Sequence, residues 1–599
     1  MEYTRTYSIR KGEYFADALK RAGKEFIPTN CIINKLLPGL GATHCELIAP
    51  RKSIIIEPNV PVIESKAKKH KNALAVYKGV TVRKIIDFLE DNHDRHYKLL
   101  TTPEGFAKIK EAMQTVGIDM YEECFILFDE CEKLVQDVHY RDSIREPMND
   151  FFLFQNKALI SATPIIPEKD NRFDGFARVL IQPDYAYRQK LKLITTNNVL
   201  ETLQEVIEAK RGTVCIFCNS IDSIDSFYRL IPELSNACTF CSEDGQYKLW
   251  KGNRRKKSMM ITELERYNFF TSRFYSAVDI ISPNPPHVIF ISDLFGATQS
   301  VIDPATEAIQ IIGRFRGGVN SVTHIASIRP DLECMSSTEI DDWIRGASTV
   351  YNNWKSQLAR TSNIGERTLL QEAIGENSYL PYLDDKGKPD PFLIANFYEK
   401  EQVKRLYTST DLLRDAYRQT DYFVFSHEER LMPVSDNERM AIQHRLAKKK
   451  RAELIVRKLE EMEKMSRTTD KKLQKRYQRM LGNLITSTAD RYIYDCFCCF
   501  GADFIRQSDY NENKLRTALN VSSEHTIKKS AQMRISIQRT FPIGSELSVQ
   551  EAKSMLKQVY KKMGLNTGRG ITTKELEQYA EIENNRNRTG RTIKILKFK

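Results

Sequence analysis

No apolar run in this 599-residue chain reaches the roughly 20 residues needed to cross a bilayer. The opening stretch, MEYTRTYSIRKGEYF, has no signal-peptide core. Together these absences exclude a helical membrane protein, predict a cytoplasmic one and leave no membrane partner to expect. Twelve cysteines are scattered along the chain rather than clustered as a disulfide framework, so they read as reduced thiols. Negative charge is in deficit: 78 acidic residues face 91 basic ones, for a formal net charge of +13 and a pI near 9.0. That balance points to a polyanionic partner. The remaining composition, 41% hydrophobic and 28% charged, is that of a soluble globular protein. The length exceeds what one core can bury and predicts three or four domains.

The most informative segment is FILFDECEK, Phe125 to Lys133. An apolar run delivering two carboxylates at its carboxyl end suits phosphoryl transfer. Asp129 is placed to hold Mg²⁺, and Glu130 to orient a water against a γ-phosphate. Upstream, IINKLLPGLGATHCEL (Ile32 to Leu47) reads as a short strand, a Gly-rich turn and a helix start. This is the layout of a phosphate-binding loop, with Gly39 and Gly41 allowing close backbone approach and Thr43 placed as a second Mg²⁺ ligand. The pattern G-x-x-x-x-G-K-[ST] is nevertheless not met. Ala42 stands where the lysine belongs, and Leu36 where the first glycine belongs. A cation on a phosphate contributes about 1.5–3 kcal/mol per charge-assisted hydrogen bond. Lys35, at the front of the same loop, is the candidate replacement; the alternative is a solvated Lys35 and weak nucleotide binding. Some tailed-phage packaging motors are similar in carrying a basic residue at the front of the loop.

Strand signals recur at βα spacing on either side. Ser53 to Glu57 leads into Pro58-Asn59, Tyr97 to Leu100 into Thr101-Thr102-Pro103-Glu104-Gly105, and Lys157 to Ile160 into Ser161-Ala162-Thr163. Such runs, each ending in polar or Pro/Gly residues, predict strands buried on both faces with functional residues at their carboxyl ends. Thr-Pro-Glu-Gly also has the form of a helix start. From Gly212 the pattern restarts with GTVCIFCNS. NFFTSRFYSAVDI follows, carrying Arg273 and Asp279, then HVIFIS and ATEAIQIIGRFRGG, with Gln310, Arg314 and Arg316 on a helix.

A phosphate loop, T-P-E-G, D-E-x-x, S-A-T and Q-x-x-G-R, in that order, resembles the motor of superfamily 2 helicases and translocases. The GR-x-R ending is closer to viral origin-binding, phage and mobile-element relatives than to the DEAD-box group. The resemblance covers residues 25 to 330 and implies an α/β fold of two tandem RecA-like domains sharing one site for ATP and Mg²⁺. It implies that Ser161 and Thr163 couple nucleotide state to the second domain. It places Pro58, Asn59, Thr102, Pro103, Glu104 and Arg273 on nucleic acid, and Asp279 with the nucleotide group. Gln310, Arg314 and Arg316 form the arginine-finger motif, with either arginine open as the one facing the γ-phosphate. The expected partner is single-stranded or duplex DNA, with RNA left open and replication proteins as further candidates; a phage-encoded chain would work in the bacterial host cytoplasm.

Cys215-x-x-Cys218 and Cys238-x-x-Cys241 have the spacing of a four-thiolate zinc site. Both pairs fall in expected strands, where residues three apart point to opposite faces, so no zinc is expected. Beyond Arg329-Pro330 the parallel-strand signals stop. The run RLAKKKRAELIVRKLEEMEKMSRTTDKKLQKRYQRML is basic and helix-forming, either a nucleic-acid-contacting helix or a solvated helical pair. ELSVQEAKSMLKQVYKKMGL and ITTKELEQYAEI read as two capped helices, and RTGRTIKILKFK as a basic strand. That order is similar to a winged-helix module; an ordinary helical cap with a basic tail is the other reading. The expected organisation is 1–185 and 186–330 as the two RecA-like domains, 331–490 as a helical region and 491–599 as a small α+β domain.

Overall fold

The computed structural model describes residues 3–599 except 252–256, 259–260, 262, 277, 443–445, 467–469, 485–489, 566, 568–569 and 588–589. The chain forms two compact units, Met1–Asp436 and Asn437–Lys599.

The first unit is built on two eight-stranded sheets. One consists of β1 (Arg5–Ile9), β2 (Cys31–Asn34), β3 (Ser53–Ile56), β4 (Ala73–Val76), β5 (Lys98–Thr101), β6 (Phe125–Asp129), β7 (Asn156–Ser161) and β8 (Ala177–Pro183). Their spatial order is β1-β8-β2-β7-β6-β3-β5-β4, and every pair is parallel. The short runs form central strands because both faces are apolar: Ile54 sits in register with Leu99 on one side and Ile126 on the other. Alternate residues feed opposite cores. Ile54, Ile126 and Phe128 pack on one face, Ile55, Leu100 and Leu127 on the other.

The other sheet holds β9 (Gln189–Thr196), β10 (Val214–Phe217), β11 (Cys238–Phe240), β12 (Lys257–Ser258), β13 (Tyr267–Phe270), β14 (His287–Ser292), β15 (Ser321–Ser327) and β16 (Phe423–Arg430). Its order is β12-β11-β13-β10-β14-β15-β9-β16, again all parallel. This is the architecture of two RecA-like domains. Cys215 and Cys238 pack in the core on one face of the sheet, Cys218 and Cys241 on the other. The members of each pair therefore cannot close on one ion.

Parallel-strand pairing does not stop at residue 330, contrary to the expectation. β16 joins the second sheet beside β9, more than ninety residues beyond that point. The division between units falls at 436, inside the expected 331–490 region. The intervening chain is tied to both sheets. The helix Pro391–Leu406 starts on an Asp390 cap, whose carboxylate accepts from the amides of Phe392 (2.8 Å) and Leu393 (3.1 Å), with proline at the first position. Phe392 and Leu393 pack into the first domain's core, and Val403 and Tyr407 into the second's. Asn396 donates to the carbonyl of Val135 at 2.8 Å, and Tyr407 to that of Ile302 at 2.6 Å.

In the second unit the basic run forms two helices, Lys448–Ser466 and Lys471–Leu484. The last hundred residues give β17 (Glu546–Ser548), a helix Val549–Lys562 opened by a Ser548/Glu551 capping box, β18 (Ala580–Asn587) and β19 (Gly590–Phe598). The second helix expected there is instead a short 3₁₀ stretch, Thr573–Gln578, and Ala580 to Ile582 belong to β18. Glu581 and Ile582 sit at an irregularity where β18 pairs with β19, and strand pairing takes residues that read as a helix end. The sheet order is β17-β19-β18. Among the described residues no helix is long and apolar enough to cross a membrane.

Candidate functional site

β2 runs into the loop that carries Lys35 to Gly41, and the helix α1 (Ala42–Ile48) follows. Gly39 (φ 82°) and Gly41 (φ 78°) are left-handed, as a tight loop of this kind requires. Leu36 is left-handed too (φ 55°), at the position where a glycine was missed in the sequence. The loop thus keeps the backbone path without the residue that adopts it freely.

Thr43, the second residue of α1, donates its hydroxyl hydrogen to Asp129 at the end of β6. Lys35 pairs with the other oxygen of the same carboxylate at 3.3 Å. Burial alone would raise the Asp129 carboxyl; the charges of Lys35 and Lys66 outweigh it and hold the group ionised, below its usual range. Two hard oxygen donors, the Thr43 hydroxyl and the Asp129 carboxylate, therefore converge in one place, which fits a Mg²⁺ ion. Glu130 also adopts a left-handed backbone (φ 53°), a strained state typical of functional turns. Its Oε2 is buried with no hydrogen-bond partner among the described residues. An unsatisfied carboxylate oxygen of this kind is suited to receive a water or hydroxyl.

The second domain closes over this group. Arg314, the C-cap of the helix Glu307–Gly313, approaches Glu130 Oε1 at 3.5 Å. Gln310 holds the guanidinium, accepting from it at Oε1 (2.9 Å) and at its carbonyl (3.2 Å). Arg316 lies against the loop itself. A Cβ added at Gly39 would stand 1.7 Å from its Nη1, and one added at Gly313 2.3 Å from the Pro38 ring. Asp279 pairs with Arg316 at 2.9 Å. Lys35, Gly39, Gly41, Ala42, Thr43, Asp129, Glu130, Asp279, Gln310, Arg314 and Arg316 all line one cavity of about 430 Å³. Arg314 is buried, whereas the side chain of Arg316 is 45% exposed, so the two arginines are not equivalent.

Thr163, just beyond β7, accepts from the Gln310 amide at 3.0 Å, and the Ser161 hydroxyl accepts from the Thr163 backbone N–H at 2.9 Å. The same Gln310 amide donates to Glu132 at 3.0 Å. Glu132 was not singled out from the sequence, although the second glutamate of D-E-C-E was the available signal. Burial, reinforced by the charge of Glu130, raises its carboxyl to about 7.

The residues expected on nucleic acid divide. Pro58 and Asn59 line the 430 Å³ cavity together with Glu57 and Lys66, an edge of the site that the sequence motifs did not reveal. Thr102 and Pro103 are buried at the end of β5, and Thr102 makes no side-chain cap bond. Glu104 receives two bonds from Arg141 (2.7 and 2.9 Å) and one from Ser143 (2.8 Å). Partial burial works against its ionised form, but Arg141 overrides this and holds the carboxyl at about 2. Arg141 also donates to the Pro58 carbonyl at 2.7 Å, tying the two loops together. Arg273 is exposed on the turn Ser272–Phe274 and lies outside the cavity lining. A larger cavity, about 1290 Å³, opens between the sheets and the helices beyond 330. Six carboxylates and Lys169 line it, so it is ill suited to a polyanion.

No family model and no curated protein matches the chain. Solved structures do. Dbp5 of S. cerevisiae, bound to RNA and ADP BeF3, is 11% identical over 53% of this chain and 88% of its own, with a TM-score of 0.33. The helicase domain of Hef from Pyrococcus furiosus is 12% identical over 53% and 95%, TM-score 0.32. A DEAD box protein from Methanococcus jannaschii is 14% identical over 52% and 90%, TM-score 0.29. The likeness to these structures is one of fold.

Proposed function

We propose that the chain is an ATP-dependent nucleic-acid helicase or translocase of superfamily 2, acting on DNA in the replication or recombination of a phage or mobile element. One observation carries this reading. Glu130 and Arg314, 184 positions apart in sequence, come within 3.5 Å of each other beside a glycine loop, one from a strand end of the first domain and one from a helix end of the second. An acid and a cation brought together in this way suit a triphosphate bound between two domains.

In this reading Thr43 and Asp129 hold Mg²⁺, which when bound neutralises charge on the phosphates. The free oxygen of Glu130 orients the attacking water and accepts its proton. Arg314, aimed by Gln310, faces the charge that develops on the transferred group; such a residue contributes about 10³–10⁵ in rate. Arg316 sits over the loop and is paired with Asp279, so it serves binding and closure. The Gln310 amide bridges Thr163 and Glu132, which makes it the link between cleft closure and the first domain. Pro58, Asn59, Thr102, Pro103, Glu104 and Arg273 remain the proposed path of the strand, with the buried Thr102 and Pro103 supporting it from beneath and Glu104 acting through Arg141 rather than on phosphate. The net charge of +13 favours such a strand, whose affinity falls steeply with salt. The second unit, with a basic hairpin beside a capped helix, is a further candidate surface for nucleic acid.

The test is phosphate release with and without single-stranded DNA, with an RNA arm, for the wild type and Glu130→Gln. Stimulation by DNA and a loss of about 10²-fold or more in the variant are expected. Hydrolysis that survives Glu130→Gln at the wild-type rate would refute the assigned chemistry. Strand displacement set against triplex displacement separates a helicase from a duplex translocase.

A further inference from the structure

The nucleotide cavity contains a lysine that no motif contributes. Lys66 projects from α2 (Val60–Ala67), the helix after β3. Its ammonium donates to the Thr43 hydroxyl at 2.9 Å and to Glu57 at 2.5 Å. Thr43 gives its own hydrogen to Asp129, so the bonds run in one direction: Lys66 to Thr43 to Asp129. Glu57, at the end of β3, is only 4% exposed. A buried carboxylate is costly to desolvate unless paired, and Lys66 is the partner that offsets part of that cost. The pair fixes a long, flexible side chain at the loop mouth. The Lys66 side chain keeps 31% of its exposure and lines the cavity, whereas that of Lys35 keeps 10% and is taken up by Asp129.

We propose that Lys66, not Lys35, is the lysine that contacts the terminal phosphates of a nucleoside triphosphate, standing in for the one absent at position 42, with Glu57 as its positioning residue. Lys35 then serves as the counter-ion that keeps Asp129 ionised. The phosphate-binding cation comes from a separate strand–helix connection and reaches the loop through space. Its neighbour Thr43 is the loop hydroxyl, which places the ammonium by the outer rather than the inner phosphates. The inference rests on the nucleotide-site reading above.

Equilibrium titration of the full chain with fluorescent ATP and ADP analogues, alongside melting temperatures, tests it without relying on turnover. Lys66→Met keeps the apolar stem and removes the charge. It should weaken triphosphate binding at least about tenfold and diphosphate binding less, the loss of one charge-assisted bond. Lys66→Arg should restore most of the preference. Glu57→Gln, which leaves the lysine but frees it, should erode the preference several-fold. A folded Lys66→Met chain with wild-type preference for the triphosphate overturns the assignment. So does a Lys35→Met chain that alone loses that preference. If Lys66→Met does not fold, an undiminished preference in Glu57→Gln overturns it instead. A wild-type chain that binds neither nucleotide refutes the nucleotide site itself, an outcome distinct from these.

Discussion

In the first domain, Glu46 and Lys98 are both fully buried, their charged atoms 3.6 Å apart. In the second, His324 is fully buried in a network of neutral partners, held by Ser292 at 3.0 Å and Tyr417 at 2.8 Å. The Glu46 carboxylate also takes Arg51 (2.5 Å) and the Ser53 hydroxyl (2.5 Å), so a charged network lies beneath α1. Burial lowers the Lys98 ammonium to about 8, against the pull of Glu46. The second domain instead stacks Phe217, Phe270 and Phe240, with ring centroids 4.9 and 4.8 Å apart, beside its neutral histidine network. Both sheets are eight-stranded and wholly parallel, so winding does not dictate this difference. Position in the proposed cycle does. In the proposed reading the first domain holds a fixed arrangement of charges around a phosphate, and a network of ion pairs under the loop would serve that. In that reading the second delivers one buried arginine on a helix end, and the sheet behind it is packed mainly by aromatic and neutral polar groups.

The largest expected effect tests the charged side. Glu46→Ala leaves Lys98 buried without its carboxylate, and removing one member of a buried pair costs about 3–5 kcal/mol. Urea unfolding should show a loss of that size. Glu46→Leu combined with Lys98→Met should recover much of it, because an apolar pair of similar volume replaces two desolvated charges. A single variant that loses under about 1 kcal/mol would mean that the charged interior is no more demanding than the neutral one.

The second effect is smaller and tests the neutral side through pH. Burial lowers the His324 imidazole to about 3, below its ordinary value of 6.5. Between those values the unfolded chain takes up a proton that the folded chain refuses. The contribution is therefore complete above about pH 6.5 and is lost progressively as pH falls towards 3. Each unit below 6.5 costs about 1.4 kcal/mol. Buried carboxylates run the other way: Glu307 is raised to about 8 and Glu57 to about 7, so each gains as pH falls below its folded value. The measurement is thus a difference, wild type minus His324→Gln, between pH 7.5 and 5.5. Parallel curves would show that His324 is protonated inside the fold, and the contrast between the domains would narrow.

What the sequence revealed of this comparison follows from locality. The runs Ser53–Ile56 and Phe125–Asp129 were legible because central parallel strands are apolar on both faces. β16 was not: Phe423–Arg430 lies at the sheet edge, and its mixture of apolar and charged residues reflects one solvated face. The glycine loop, Asp129-Glu130 and Gln310–Arg314 are each contiguous, and their residue types announce their chemistry. Lys66 and Glu57 are not contiguous with any of them. They enter the cavity only because β3 lies beside β6 and their backbone segments meet there. Spacing in a single sequence carries no trace of that.

The smallest effect concerns Leu36, where the loop departs from the glycine pattern while its backbone does not. A non-glycine residue in the left-handed region costs roughly 1–2 kcal/mol. Glycine would remove that strain but would gain freedom in the unfolded chain, worth about 0.5–1 kcal/mol. Leu36→Gly should therefore stabilise the protein by about 0–1.5 kcal/mol, the balance of those two terms. Leu36→Val sets the other limit, since a β-branched residue tolerates this backbone least, and it should destabilise. If glycine destabilises instead, the half-buried leucine side chain contributes more through its packing than its backbone costs. The loop's departure from the glycine pattern would then be explained by contacts of the side chain, not by tolerance of strain.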